Sequence, residues 1–295
     1  MEWWQAAVLG LVEGITEYLP ISSTGHLILT ASLLGLDESE TKRAVDAFNI
    51  VVQGGAILAV LGLYRERVLQ MIKGLLGKDA AGLRLFLLLV VAFLPAAVLG
   101  VPLNDVIESA LFKPVPVLLA LAVGGVYMIL LDRYTIRPMR EEDRAAAETG
   151  QPIEHGADIA QLPFRAALII GLTQAVAMWP GTSRSMMTIT AGVLVGLRPR
   201  QAAEFSFLLG LPTLGGATVY KLYKDVTADG PNMFEVLGVA PILIGIAVAT
   251  VSAVAAVQWL VGFLTKHGLS GFGWYRIGLA AVLFGAILAG VVEFG

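Results

Sequence analysis

Cysteine is absent from this chain of 295 residues, and charged side chains make up only 15% of it. Without cysteine there is no disulfide, no thiolate nucleophile and no cysteine-ligated metal. Soluble proteins are about 25% charged and about 45–50% apolar, whereas this chain is 57% hydrophobic. Its charges are too few to cover a soluble surface, so the composition indicates an integral membrane protein.

Basic runs are also lacking. The formal net charge is −3, and no cluster of lysine or arginine suggests a nucleic-acid partner. We expect no cleavable signal peptide, because the first residues have no basic n-region and no small-residue cleavage site follows the first apolar stretch. Trp3 and Trp4 are instead typical of an aromatic anchor at a membrane interface.

Six regions are apolar over nearly the length of about 20 residues that a spanning helix needs. The predicted spans are 44–63, 85–103, 112–131, 204–222, 236–264 and 275–292. Two further apolar regions, 5–36 and 164–197, are interrupted by Pro20-Ile21-Ser22-Ser23 and by Pro180-Gly181-Thr182-Ser183. Each breaks into pieces too short to span, which predicts two re-entrant pairs of half-helices.

The order of these segments repeats. Pro20 and Pro180 are 160 residues apart, as are Ser23 and Ser183, and two further short matches occur at an offset of 161. We therefore predict one all-α polytopic membrane domain made of repeat one (about 1–131), a polar linker (about 132–162) and repeat two (about 163–295). Because three is an odd number of spans, the second repeat enters the membrane from the opposite side, so the repeats are inverted. Proteins built this way hold their site near the midplane, where the broken segments meet.

Orientation follows from lysine and arginine in the loops. The loop 64–84 and the linker carry most of them and lie on one side of the predicted membrane. That side should be cytoplasmic, which places both termini outside the cytoplasm.

Glu13 and Glu17 lie four residues apart, hence on one face of the first half-helix. Acids inside an apolar segment are functional by default, and such a pair suits a divalent cation or a shared proton. The alternative is a hydrated pair at the interface.

The first break continues as Ser22-Ser23-Thr24-Gly25-His26 before an apolar helix. Serine and threonine cap helix starts, and a helix N-terminus binds anions. An ordinary cap and a satisfied core histidine are the alternatives, but His26 lies close to two acids and three hydroxyls, which favours a functional role.

The second break leads into Ser183-Arg184-Ser185 and on to Thr188. An arginine among apolar residues is costly unless it faces an anion or a wet cavity, and arginine grips phosphate bidentately. The alternative is that Arg184 pairs with Glu13 or Glu17 for structure only. If the two helix N-termini face each other, their dipoles favour a polyanion between them, so the residues indicate a binding site for a small or lipid-linked phosphate.

At these residues the chain resembles the bacitracin-resistance-type undecaprenyl pyrophosphate phosphatases. The family's (E/Q)xxxE motif matches Glu13 to Glu17, its Pro-x-Ser-Ser-Thr-Gly-His stretch matches Pro20 to His26, and its PGxSRSxxT motif matches Pro180 to Thr188. The resemblance extends over nearly the whole chain.

The resemblance implies hydrolysis of undecaprenyl pyrophosphate to undecaprenyl phosphate in the bacterial inner membrane, with the site open to the extracytoplasmic side, low-level bacitracin resistance and a need for Mg²⁺ or Ca²⁺. It implies catalytic roles for Glu17, Ser23, His26 and Arg184, phosphate binding by Ser22, Thr24, Ser183, Arg184, Ser185 and Thr188, and metal binding by Glu13 and Glu17. Either Ser23 attacks with His26 as base or leaving-group acid, or Glu17 activates water. A polyprenyl-phosphate transporter and a scaffold are the rival functions, and a homodimer is compatible with the sequence.

Overall fold

The computed structural model describes residues 1–36, 39–149 and 158–290, and within these ranges the chain is helical and contains no β-strand. The last residues of the predicted final span and of repeat two (291–295), and part of the predicted linker (150–157), lie outside the described residues. The helices are α1 Trp3–Thr16, α2 Ser23–Leu33, α3 Ser39–Val51, α4 Gln53–Leu63, α5 Arg65–Leu75, α6 Ala80–Leu111, α7 Pro114–Leu131, α8 Arg137–Glu148, α9 Phe164–Val176, α10 Arg184–Leu194, α11 Pro199–Thr227, α12 Met233–Leu237, α13 Val239–His267 and α14 Ser270–Leu288.

All six predicted spans are confirmed as helical in the residues that the structure describes, although the first is divided at Val52 and the fifth at Gly238. In the described part of the chain, six helical stretches are long and apolar enough to cross a membrane, namely Arg43–Leu63, Ala80–Gly100, Pro114–Ala146, Pro199–Thr227, Val239–His267 and Ser270–Leu288. The protein is therefore a multi-pass membrane protein.

The two predicted breaks are confirmed as well. Glu17–Ser22 separate α1 from α2, and 177–183 separate α9 from α10. At about 1.5 Å per residue, none of these four short helices reaches the ~30 Å of a hydrocarbon core. The serines that cap α2 and α10 are Ser22 and Ser183, so the two caps correspond at an offset of 161 rather than through Ser23 at 160.

The two halves of the chain interlock through close helix packing. Helix α1 lies against α13, and α9 lies against α6. Glycines permit the approach: a Cβ added at Gly10 would lie 2.4 Å from the Gly245 carbonyl oxygen, and one at Gly171 would lie 2.3 Å from that of Ala92. Small residues let helix backbones approach in this way inside membranes.

The predicted polar linker begins as helix. Helix α7 continues through a π-helical turn, Asp132–Ile136, into α8. The carboxylate of Asp132 accepts the backbone N–H of Leu269 at 2.9 Å, which anchors the turn between α13 and α14 to the linker. The linker is thereby tied to the spans of the second half.

The packing of Gly10 predicts a stability effect. Gly10→Ala should force α1 and α13 apart and lower the thermal unfolding midpoint in detergent, because overpacking costs about 1–3 kcal/mol. Gly62→Ala on α4 is the matched control, since a Cβ there meets no atom within 4 Å and alanine favours helix by about 1 kcal/mol. Equal midpoints for the two variants would contradict the packing argument.

Candidate active site

Both breaks end in a serine with a backbone conformation that L-residues rarely adopt. Ser22 has φ 73° and Ser183 has φ 72°, and they are the only non-glycine residues with positive φ in the described ranges. Each side chain caps the helix that follows: Ser22 Oγ accepts from the Gly25 N–H at 3.5 Å and Ser183 Oγ from the Met186 N–H at 3.3 Å. Non-glycine residues in such regions cost about 1–3 kcal/mol and cluster at functional sites.

The two helix N-termini meet at the carboxylate of Glu17. Ser23, the first residue of α2, donates its hydroxyl to Glu17 Oε2 at 2.8 Å. Arg184, the first residue of α10, donates Nη2 and Nε to Glu17 Oε1 at 3.1 and 3.4 Å. The side chains of Arg184 and Glu17 are only 9% and 6% exposed, so this is a buried ion pair that joins the two halves.

Further contacts fix Arg184 and the second break. Arg184 Nη1 donates to the Ser206 carbonyl oxygen at 3.0 Å. The Arg184 guanidinium carbon lies 5.6 Å from the centre of the Tyr18 ring. The Ser185 hydroxyl crosses to the first break and donates to the Leu19 carbonyl oxygen at 2.8 Å. Arg184 is therefore held from three sides, by the first break, by α11 and by an aromatic face.

The predicted phosphate-binding hydroxyls fall into two groups. Ser183 Oγ lies 3.0 Å from Ser185 Oγ, and Thr188 Oγ1 lies 2.6 Å from Ser206 Oγ. Thr24 is half-buried in the first turn of α2. Ser185 and Thr188 are fully or almost fully buried and satisfied by protein groups, so they brace the second break. Ser22 is also buried, at 2% exposed, whereas Ser23, Thr24 and Ser183 are partly exposed at the ends of the two breaks.

Glu13 is completely buried, and neither of its carboxylate oxygens has a hydrogen-bond partner. A buried carboxylate without a partner carries a large desolvation cost unless it binds a proton or a cation. Over the described ranges, no three histidine or acidic side chains cluster as a metal site. Mg²⁺ is commonly held by one or two carboxylates together with substrate phosphates, so the chemistry of two carboxylates is compatible with such a cation, although both Glu17 oxygens are already bonded to Ser23 and Arg184.

His26 hydrogen-bonds to Ser22 and Tyr275 rather than to Ser23. Its Nδ1 lies 2.7 Å from the Ser22 carbonyl oxygen and its Nε2 lies 2.7 Å from the Tyr275 hydroxyl, with the two rings stacked. Since a carbonyl only accepts, Nδ1 of the neutral ring carries the proton, and Nε2 accepts from Tyr275. The predicted contact between His26 and Ser23 is replaced by the bond from Ser23 to Glu17.

Four residues at or beside the site were not predicted from the sequence. Tyr18 lies in the first break and contacts Arg184, as Ser206 does from α11. Tyr275 contacts His26, and Arg276 contacts Gly181 in the second break. The rule that singled out Arg184, a charge inside an apolar segment, applies equally to Arg276. Tyr18, Ser206 and Tyr275 carry no comparable signal, because hydroxyl-bearing residues are common in membrane helices.

Residues 6–282 match the family model of the bacitracin resistance protein BacA. The chain belongs to this family. An undecaprenyl-diphosphatase of Sorangium cellulosum is 42% identical over 96% of this chain and 86% of its own. One of Azotobacter vinelandii is 41% identical over 100% and 98%, and one of Deinococcus deserti is 40% identical over 100% and 99%.

Proposed function

We propose that this BacA-family protein hydrolyses undecaprenyl pyrophosphate to undecaprenyl phosphate and inorganic phosphate. The observation that supports this most directly is that two helix N-termini meet at the Glu17 carboxylate. Ser23 binds it from one helix and Arg184 from the other. Full-length relatives at about 40% identity carry the name of that activity. Recycling of the lipid carrier for cell-wall polymers and low-level bacitracin resistance follow from the same proposal.

Charge stabilisation explains why this geometry suits a pyrophosphate. The N-termini of α2 and α10 each present backbone N–H groups and a partial positive charge. Arg184 supplies a planar fork for two phosphate oxygens once the substrate competes with Glu17. Phosphoryl transfer depends mainly on such positioning and neutralisation. Ser22, Thr24 and Ser183 complete the proposed cradle, with Ser185 and Thr188 bracing it.

Glu17 is the proton acceptor that the geometry favours. It already accepts the Ser23 hydroxyl, so it can take that proton as Ser23 Oγ attacks the terminal phosphorus and undecaprenyl phosphate leaves. Water then hydrolyses the phosphoserine. In the alternative route Glu17 takes the proton of an attacking water and Ser23 only orients it. His26 can serve as the acid for the leaving oxygen only when Nε2 is protonated and its hydrogen bond with the Tyr275 hydroxyl is released.

Glu13 and Glu17 would hold the divalent cation, Mg²⁺ or Ca²⁺. Such a cation supplies charge neutralisation for the phosphates when it is bound. The unpartnered oxygens of Glu13 support this assignment, because a buried carboxylate is stabilised by a cation when it stays ionised and by a proton when it does not.

We also propose that the protein consists of two inverted repeats, each with a re-entrant break. The reciprocal packing of α1 on α13 and of α9 on α6 supports it, since each pair joins a broken helix of one half to a span of the other. The protein would lie in the bacterial inner membrane with both termini and the site on the extracytoplasmic side. The homodimer stays a prediction.

Phosphate release by the purified protein tests the function. In detergent, the wild type should release phosphate from undecaprenyl pyrophosphate with Mg²⁺ or Ca²⁺, lose turnover in excess chelator and regain it when the cation returns. No release under any condition would refute hydrolysis, and lipid flipping in vesicles without hydrolysis would then favour the transporter. Full turnover in chelator would refute only the cation role.

Arg184→Lys tests the bidentate clamp. Lysine keeps the charge but is a point donor, so we expect a loss on the order of 3 kcal/mol in transition-state stabilisation, or about 10²–10³-fold in kcat. Arg184→Ala is the companion variant, and melting temperatures are measured alongside. If lysine keeps near-normal turnover and both variants differ only in stability, Arg184 is a structural partner of Glu17 and the clamp is wrong.

Fusion reporters test the orientation. A reporter active only in the cytoplasm should be inactive when fused after Gly295 and active when inserted after Thr149 in the linker, because the arginine-rich side is cytoplasmic. The reverse pattern would invert the proposed topology.

A further inference from the structure

Arg276 on α14 is the largest fully buried side chain in the described ranges, with no exposed surface. Its Nη2 donates to two backbone carbonyls, that of Ala120 on α7 at 2.9 Å and that of Gly181 in the second break at 2.8 Å. Its Nε and Nη1 have no hydrogen-bond partner. A buried guanidinium with two unused donors is costly in a membrane helix, so we expect it to have a role beyond packing.

The surrounding structure makes room for this charge. A Cβ added at Gly124 on α7 would lie 2.5 Å from Arg276 Nη2, the atom that makes both hydrogen bonds. Gly181 itself has φ +93°, and its Cβ position is blocked by the Val117 carbonyl oxygen at 2.7 Å. The second break is thus pressed against α7, and Arg276 joins the two through one nitrogen.

Gly181 lies three residues before Arg184, with only Thr182 and the strained Ser183 between them. A shift of the Gly181 peptide therefore changes where the α10 N-terminus and the Arg184 guanidinium lie. The resting ion pair with Glu17 holds Arg184 only until a substrate competes for it, whereas the Arg276 bond to Gly181 involves no group of the proposed phosphate cradle.

We propose that Arg276 is a positioning residue, which sets the α10 N-terminus and Arg184 for phosphate by holding the Gly181 carbonyl against α7. It contacts neither Arg184 nor the proposed nucleophile through a hydrogen bond and acts through the backbone of the second break. This inference rests on the proposed function for its kinetic consequence, but its structural consequence can be measured without any turnover.

Thiol labelling measures how accessible the second break is to solvent, because the natural chain has no cysteine that would also react. Thr182 is only 7% exposed, so Thr182→Cys should react slowly with a polar thiol reagent in detergent. The tether is the hydrogen bond from Arg276 to the Gly181 carbonyl oxygen. Adding Arg276→Gln should remove it and raise the labelling rate about 10-fold or more, because the second break then opens locally. Leu264→Ala, at a buried position on α13, is the control for lost stability and should leave the rate unchanged.

Kinetics test whether the tether acts through Arg184. Arg276→Gln should lower kcat about 10- to 100-fold, the range expected when a distant change displaces a reacting group by up to 1 Å. In an Arg184→Lys background the same substitution should cost less than about 3-fold, because residues that act as a unit are non-additive. Leu264→Ala should give multiplicative effects in both backgrounds.

Gly124→Ala covers the case in which Arg276→Gln fails to fold. The added methyl would displace Nη2 while keeping the arginine and its charge, so it should raise Thr182→Cys labelling and lower kcat in the same direction. Gly278→Ala on α14 is its control, because a Cβ there meets nothing within 4 Å. Labelling at the wild-type rate in both Arg276→Gln and Gly124→Ala would overturn the proposal. Faster labelling in a protein without phosphatase activity would overturn the proposed function and keep the tether.

Discussion

The Glu17 carboxylate binds the first residue of two helices that come from opposite halves of the chain. One oxygen accepts from Ser23 and the other from Arg184, and the ion pair is buried. Removing one partner of a buried pair costs about 3–5 kcal/mol, because it leaves a charge without compensation. The relative placement of the two breaks therefore depends on this group, together with the hydrogen bond from Ser185 to the Leu19 carbonyl oxygen.

The charges at the breaks explain why a polyanion and a cation would enter together. Glu17 is paired with Arg184 and Glu13 has no paired cation among the described residues, while the N-termini of α2 and α10 add partial positive charge. A pyrophosphate alone would meet the acids, and a cation alone would meet Arg184 and the helix N-termini. Together they satisfy both sets, and Glu13, which has no partner in the described structure, gains one.

Backbone strain at Ser22 and Ser183 needs a rigid frame to persist. The frame comes from helix pairs whose backbones touch at glycines, where a Cβ would lie 2.3–2.4 Å from a carbonyl oxygen of the facing helix. Because packed interiors deform little, the short helices can hold their caps in unfavourable φ without relaxing. The strained conformations of Ser22 and Ser183 therefore depend on the tight packing of the surrounding helices.

The sequence by itself determined the six spans, the two breaks and the acids, serines and arginine beside them. These features are local: apolar length sets a span, and proline and glycine end a helix wherever the chain later packs. Only the tertiary structure decided which group accepts the hydrogen bond of the Ser23 hydroxyl, that His26 bonds to Tyr275 at a separation of 249 residues, and that Arg276 reaches Gly181. Such partners depend on how the two halves interlock, and no pattern within one segment of the sequence records the distance between side chains of different helices.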